Sequence, residues 1–162
     1  MPRIQHFAFK QDYPSLSFRL TTAADVVGVS TGLTQKATKV TALWDTGAMR
    51  SAITPAVAQS LNLIPFDRVK VNGINNVSMA NVVKVSIGLP NLVMVKEINV
   101  MVCNLVKEID LLIGMDIILL GDFSISNGGG KTLFSFAIPP FENKTDNYEK
   151  ALAVNNRNRH RE

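Results

Sequence analysis

The sequence predicts an all-β protein with one or two short helices. Most segments between turn residues are short, and their apolar side chains alternate with polar ones as in half-buried strands. Before residue 140, only two segments carry helix signals. The 162 residues are 46% hydrophobic and 19% charged, which is more apolar than an average soluble domain. This composition suits a β-rich protein or one that buries a subunit interface.

The chain begins with predicted strands. Residues 15–20 alternate polar and apolar side chains and predict the first strand, and residues 26–29 continue the strand pattern. A polar loop at 30–36 then leads to the apolar, β-prone segment 40–44. Residues 127–131 contain three glycines and predict a hairpin turn. Further strands are predicted at 69–71, 77–87, 93–102, 123–126 and 132–136.

Two short helices are predicted between these strands. Thr54 is a good N-cap and Pro55 fits the first helical position, so a helix should occupy residues 54–61. Residues 115–120 have the apolar composition of a buried helical turn. No other segment inside the predicted sheet carries comparable signals, which supports the all-β class.

The chain is expected to form one domain, because 162 residues is a one-domain length. This domain is placed at residues 15–140, and residues 1–14 are interpreted as an N-terminal arm. Beyond residue 140 the sequence becomes polar and rich in asparagine. Residues 141–162 therefore predict a flexible C-terminal tail, with a helical turn around 148–154.

Composition argues against several classes of protein. The longest apolar run, 111–120, is interrupted by Gly114 and Asp116 and is too short to span a bilayer. The N-terminus has no apolar signal-peptide region. A single cysteine, Cys103, cannot form an internal disulfide and is expected to be a small buried hydrophobe. Two distant histidines and one cysteine offer no metal or cofactor site. A cytoplasmic protein without a membrane partner is expected.

The charge of the chain is basic, with a net charge of +4 and a pI near 9.4. A basic chain invites a nucleic-acid interpretation when its cations cluster on one segment. Here the basic residues are scattered, except at 157–161. Nucleic acid is therefore not the expected partner.

The stretch that organises the chain is residues 40–48. An apolar segment ends at Trp44 and is followed at once by a carboxylate, a hydroxyl and a glycine, in Asp45-Thr46-Gly47. An ionised aspartate is costly in an apolar setting unless hydrogen-bond donors surround it or it takes up a proton. Thr46 supplies a hydroxyl, and Gly47 lets the backbone turn and bring its N–H close to the carboxylate. This arrangement indicates an acid that is used for chemistry.

Three motifs together resemble those of the retropepsin-like, retroviral-type branch of the aspartic proteases. Asp45-Thr46-Gly47-Ala48 resembles the active-site motif of these enzymes. Leu112-Ile113-Gly114, followed by a predicted helix, is similar to the apolar-apolar-glycine motif that backs the catalytic loop. Asn72-Gly73-Ile74-Asn75 lies where the family carries its substrate-binding flap hairpin. Because the motifs occur in the family's order within residues 26–136, the resemblance implies an acid-protease barrel that is active as a symmetric dimer.

The resemblance implies a role for each residue of these motifs. Asp45 would be the catalytic residue. Thr46 would form a hydrogen bond across the two-fold axis, Gly47 would offer its N–H to the carboxylates, and Ala48 would line the floor of the cleft. Gly114 lacks a side chain and would let the strand before it pass directly behind the catalytic loop.

The residues also predict a homodimer. Only Asp45 among the eight aspartates precedes Thr-Gly, whereas this class of peptide hydrolysis needs two carboxylates that face one water. One chain therefore supplies half a site. The expected protein is a homodimeric aspartic endopeptidase that acts on extended peptide or unfolded protein without a metal or cofactor. Asp110 and Asp116 are expected to be solvated or hydrogen-bonded to nearby backbone.

Two other functions remain open, and some positions depart from the family's pattern. The same dimeric fold can grip an extended peptide without cutting it, and the basic tail can bind nucleic acid. Trp44 stands where the family has a smaller aliphatic residue. Met49-Arg50 lies where retroviral enzymes commonly have an acidic residue, and Gly73 is the only glycine of the flap.

Overall fold

The architecture is that of a computed structural model, which describes residues 5–14, 19–29, 36–72 and 77–159, without the side chains of Asn72 and Arg159. The elements in chain order are β1 (Phe7–Tyr13), β2 (Thr21–Gly28), β3 (Ala37–Trp44), β4 (Ala52–Ile53), α1 (Pro55–Ser60), β5 (Asp67–Asn72), β6 (Val77–Gly88), β7 (Met94–Val102), β8 (Leu111–Ile113), α2 (Met115–Ile118), β9 (Asp122–Gly128), β10 (Lys131–Ile138) and α3 (Asn147–Arg159).

Six strands close into a barrel. Their order is β2-β3-β8-β4-β7-β6, and β6 pairs back onto β2. Closure depends on the length of β6, because its residues 85–88 pair with β2 while residues 77–82 pair with β5. The barrel is filled by inward-facing residues of alternating strands. The fully buried ones include Val26, Val85, Ile87, Val100 and Leu111.

A second sheet contains three antiparallel strands in the order β1-β10-β9. β9 and β10 form a hairpin with Gly129 and Gly130 as its two-residue turn. Both glycines have positive φ angles, 58° and 73°, which the type I′ hairpin turn requires and which glycine adopts without strain. The hairpin predicted from the glycine run is therefore present.

Trp44 joins the small sheet to the barrel. Its side chain is 5% exposed, and its ring centroid lies 5.0 Å from those of both Phe134 and Phe136 and 5.8 Å from that of Phe123. The indole N–H donates a 2.9 Å hydrogen bond to the Thr22 hydroxyl. A smaller aliphatic residue would leave this aromatic cluster without its centre, which explains the tryptophan physically.

Most of the predicted elements are present. The predicted strands from residue 69 onwards correspond to β5, β6, β7, β9 and β10. The Thr54 hydroxyl accepts a 3.4 Å hydrogen bond from the Val57 N–H, so Thr54 is the N-cap of α1 as predicted. Of the first predicted strand, residues 15–18 lie outside the described residues, and the described strand β2 begins only at Thr21.

Both ends of the chain carry regular structure. The described part of the predicted arm contains β1, which pairs with β10 over seven positions, from Phe7 opposite Ile138 to Tyr13 opposite Thr132. The predicted tail contains α3, which has exposed side chains over residues 147–158. Within the described ranges, no helix has the length and apolar character needed to cross a membrane.

Candidate active site

The loop at residues 45–50 begins where β3 ends. β3 lies parallel to β8, with Trp44 opposite Ile113, and the Asp45 N–H donates a 2.9 Å hydrogen bond to the Ile113 carbonyl. Asp45 is thus placed by a buried strand on one side and by the predicted backing motif on the other. Its side chain is half-buried, whereas Thr46 and Gly47 are exposed.

The Asp45 carboxylate is held by its own loop. Oδ1 accepts a 2.8 Å hydrogen bond from the Gly47 N–H, and the Asp45 carbonyl accepts one of 3.3 Å from the Ala48 N–H. A Cβ on Gly47 would lie 3.1 Å from Oδ1, so a side chain there would crowd the carboxylate. Glycine at this position allows the backbone N–H to approach the acid closely.

Position 114 requires a glycine, because the backbone of the catalytic loop lies very close to it. A Cβ at this position would lie 2.7 Å from the Arg50 carbonyl carbon, 2.8 Å from the Arg50 oxygen and 2.9 Å from the Ala48 oxygen. These are contacts with backbone, which cannot move aside as a flexible side chain does. The next residue, Met115, donates its N–H to the Ala48 carbonyl at 2.8 Å. The backing motif and the catalytic loop are therefore in direct contact.

The strand order ties both ends of the loop to β8. The chain leaves β3, forms the loop and returns as β4, and β8 lies between the two. β8 is parallel to β3 and antiparallel to β4, with Leu112 opposite both Leu43 and Ala52. Because one central strand pairs with both flanks, the loop cannot open without breaking pairs in the barrel.

Ser51 and Asp116 form a second support that the sequence analysis did not identify. Ser51 is 0% exposed, and its hydroxyl donates to Asp116 Oδ1 at 2.7 Å and accepts from the Gly114 N–H at 3.0 Å. The Ser51 N–H also reaches both Asp116 oxygens, at 3.0 and 2.9 Å. The signal in the sequence was an aspartate in the first turn of the short helix α2.

Asp110 and Asp116 serve structure, as expected. Asp110 Oδ2 accepts a 3.2 Å hydrogen bond from the Thr41 N–H of β3, and Asp116 is occupied by Ser51. Among the described residues, no group of three or more histidine, cysteine, aspartate or glutamate side chains is arranged to hold a metal ion. Met49 and Arg50 are both exposed and line a groove of about 660 Å³ between the loop and β7.

The predicted flap lies at the end of the β5–β6 hairpin. The two strands are antiparallel, with Asn72 opposite Val77. The other predicted flap residues, Gly73 at the tip and Ile74 and Asn75 after it, lie outside the described residues. The adjacent part of β6 exposes apolar side chains, with Val77 61% and Met79 56% exposed. An antiparallel strand pair with exposed apolar side chains therefore adjoins the predicted flap.

The comparisons with known proteins agree with this geometry. The family model described as aspartyl protease matches residues 29–117, more than half of the chain and the whole of the loop and its backing strand. The chain belongs to the aspartyl protease family. The resemblance inferred from its motifs is confirmed, although no curated protein sequence matches the chain.

Solved structures of proteases align with this chain. A crystal structure of a retropepsin-like aspartic protease from Rickettsia conorii aligns with a TM-score of 0.53 and 18% identity, covering 85% of this chain and 98% of that one. The EIAV protease in complex with the inhibitor HBY-793 aligns with a TM-score of 0.47 and 21% identity, covering 64% and 88% of the two chains. The first likeness shows the retropepsin-like fold.

Proposed function

We propose that this member of the aspartyl protease family is an endopeptidase, which hydrolyses peptide bonds through a water held between Asp45 and Asp45 of the partner subunit. One observation carries the proposal. A single Asp-Thr-Gly loop presents a half-buried carboxylate that its own chain contacts through the Gly47 N–H. Such a carboxylate is oriented and still accessible to a second acid, a water and a substrate.

The reaction follows from the chemistry of two facing carboxylates. Two like charges about 3 Å apart cannot both ionise, so the pair holds one proton. The ionised carboxylate takes a proton from the water as the water oxygen attacks the scissile carbonyl carbon, while the protonated one polarises the carbonyl oxygen. The C–N bond then breaks, and a proton from the pair goes to the leaving nitrogen. The products are a carboxylate and an amine, and no metal ion or cofactor takes part.

The other residues of the site orient this pair. Gly47 fixes the direction of the carboxylate, and the exposed Thr46 is available to the partner subunit across the two-fold axis. The Ala48 carbonyl accepts a hydrogen bond from the Met115 N–H, and the half-buried Ala48 side chain would line the floor of the cleft. The β5–β6 hairpin, with exposed apolar side chains, suits an extended peptide or an unfolded protein as substrate. The composition supports a cytoplasmic location and no membrane or nucleic-acid partner.

The test is proteolysis by a matched pair of variants. Asp45→Asn keeps the shape of the side chain but cannot share a proton, so cleavage of an unfolded protein should be abolished while the fold is retained. Asp12→Asn makes the same chemical change at an exposed residue of β1 and should leave cleavage unchanged.

Two results would contradict the proposal. Activity retained by Asp45→Asn would show that another group performs the chemistry. Peptide binding without cleavage by the wild-type protein at any acidic or neutral pH would identify a non-catalytic peptide-binding module of the same fold, because a carboxylate pair that shares one proton titrates on the acidic side of neutrality.

A further inference from the structure

Three consecutive apolar residues are exposed between helix α1 and strand β5. Ile64 is 85% and Phe66 57% exposed, and Pro65 between them is exposed as well. The core on this side is already filled by Val57 and Leu61, which are 4% and 6% exposed. Single exposed apolar side chains are common, whereas contiguous ones mark surfaces that bind a partner. The segment 64–66 is therefore a candidate binding surface.

This segment borders a groove of about 390 Å³ between α1 and β6. The volume lies within the range of about 300–1,000 Å³ that is typical of binding pockets. None of the nine lining residues is charged, and none belongs to the catalytic loop. The apolar ones are Pro55, Ala58, Leu63, Pro65, Val83 and Val102.

Three side-chain amides complete the lining of the groove, those of Gln59, Asn62 and Asn81. An amide offers both hydrogen-bond donors and an acceptor, so it matches the backbone N–H and C=O groups of a polypeptide. A purely apolar occupant, such as a lipid chain, would leave amides without partners in a desolvated groove, which is costly. The lining therefore fits a peptide segment that carries large apolar side chains.

The charges at the rim of the groove are positive. Arg68 lies directly opposite Asn81 across the β5–β6 pair, so both side chains lie on the same face of the sheet. The Lys36 ammonium donates a 2.9 Å hydrogen bond to the Asn62 side-chain oxygen, in the amide orientation that the surrounding groups favour. Asp67 alternates with Arg68 along β5 and therefore lies on the opposite face. This rim favours an occupant that carries carboxylates.

We propose that the groove binds an acidic segment of another protein, whose large apolar side chains fill the groove while its carboxylates lie against Arg68 and Lys36. This interaction goes beyond the endopeptidase activity and does not require it, because the lining includes no residue of the catalytic loop. Asn81 and Val83 belong to β6, the strand that follows the predicted flap. A bound segment therefore also contacts the base of that hairpin.

Selection from random peptides displayed on phage tests the chemistry of the occupant. Asp45→Asn is the chain used for selection, so that bound peptides are not cut and binding is judged independently of cleavage. The selected peptides should combine aspartate or glutamate with leucine, isoleucine or an aromatic residue. Selection of basic peptides, or of none, would overturn the proposal.

A matched pair of substitutions tests where the peptide binds. The probe is the most enriched peptide, synthesised with a fluorescent label and measured by fluorescence anisotropy. Phe66→Asp removes an apolar contact at the groove and should raise the dissociation constant at least about tenfold. Leu92→Asp makes a similar change at a side chain that is 89% exposed at the other end of β6, and should leave affinity unchanged. Equal affinity of the two variants would place the peptide elsewhere and overturn the proposal.

A second pair of substitutions tests the charge complementarity. Arg68→Glu sets a like charge against the carboxylates of the peptide and should weaken binding at least about fivefold, with a difference that shrinks as salt is added. Lys10→Glu makes the equivalent change at an exposed position of β1 and should have no effect. A peptide whose affinity is the same for Arg68→Glu and Lys10→Glu does not bind through this rim.

A lipid surface is the competing occupant, because apolar side chains next to cations also occur on proteins that bind anionic membranes. Vesicles that contain phosphatidylserine are mixed with the wild-type chain and sedimented. The chain should stay in solution, since the amides of the groove favour a peptide. Sedimentation with the vesicles that is abolished by Phe66→Asp would assign the surface to lipid and overturn the proposal.

Discussion

At the scale of single residues, Ser51 links three parts of the site. Its hydroxyl accepts a hydrogen bond from Gly114 and donates one to Asp116, and its carbonyl accepts one of 3.0 Å from the Met101 N–H of β7. Because Ser51 is fully buried, no water replaces these partners when the hydroxyl is removed. The catalytic loop therefore depends on a residue that has no part in the chemistry.

Ser51→Ala should lower the free energy of unfolding by about 1–3 kcal/mol, because the buried Gly114 N–H loses its acceptor. Trp44 is the only tryptophan, so urea unfolding can be followed by its fluorescence. Ser78→Ala, at an exposed position of β6, is the matched control and should change stability by less than about 0.5 kcal/mol. Equal effects of the two substitutions would show that the Ser51 hydrogen bonds do not stabilise the loop.

At the scale of elements, the sequence predicted those with strong local signals. Alternation identified β6 and β7, and Thr54 with Pro55 identified the start of α1. β4 was missed because a strand of two residues, Ala52 and Ile53, has no periodicity. β1 was not identified because Phe9 is its only buried residue, so little alternation marks it. The closure of β6 onto β2 is a non-local pairing that no local pattern predicts.

The residues of the site likewise include some that a local motif identified and some that no local motif could identify. Asp45 and Gly114 were predicted because three motifs in order carry information that a single residue lacks. Ser51 has no motif of its own, and its role depends on burial and on Asp116, which is distant in the sequence. The flap tip at Gly73 remains a prediction, since it lies outside the described residues.

The exposure of the C-terminal helix α3 predicts that the chain can be shortened without loss of stability. Before this helix, Phe141 contacts the domain: its N–H donates to Asp122 Oδ2 at 2.8 Å, and its ring stacks on His6 with centroids 4.3 Å apart. A chain that ends after Glu142 keeps these contacts, and all of residues 143–158, which it loses, have exposed side chains. Its unfolding free energy should match that of the full chain within about 0.5 kcal/mol.

The comparison for this truncation is a chain that ends after Pro140. It loses the Phe141 contacts and should be less stable by up to about 1 kcal/mol, the scale of an aromatic stack and one hydrogen bond to a charged group at an exposed site. Both stabilities are measured by urea unfolding. A larger loss from ending after Glu142 would show that α3 packs on the domain or on a partner.

At the scale of the whole molecule, the chain carries one catalytic loop and the proposed site needs two. Activity then depends on which chains pair. A dimer of one wild-type chain and one Asp45→Asn chain has a single ionisable carboxylate at the axis, so it has no proton to share and should be inactive. Mixing the two kinds of chain therefore tests whether the site needs two chains.

Mixing wild type with Asp45→Asn under conditions that allow exchange should reduce cleavage in proportion to the wild-type fraction of chains. Random pairing leaves about half of the activity with one equivalent of the variant and about one tenth with nine equivalents. Cleavage that is unaffected by excess Asp45→Asn would mean that one chain contains the complete site.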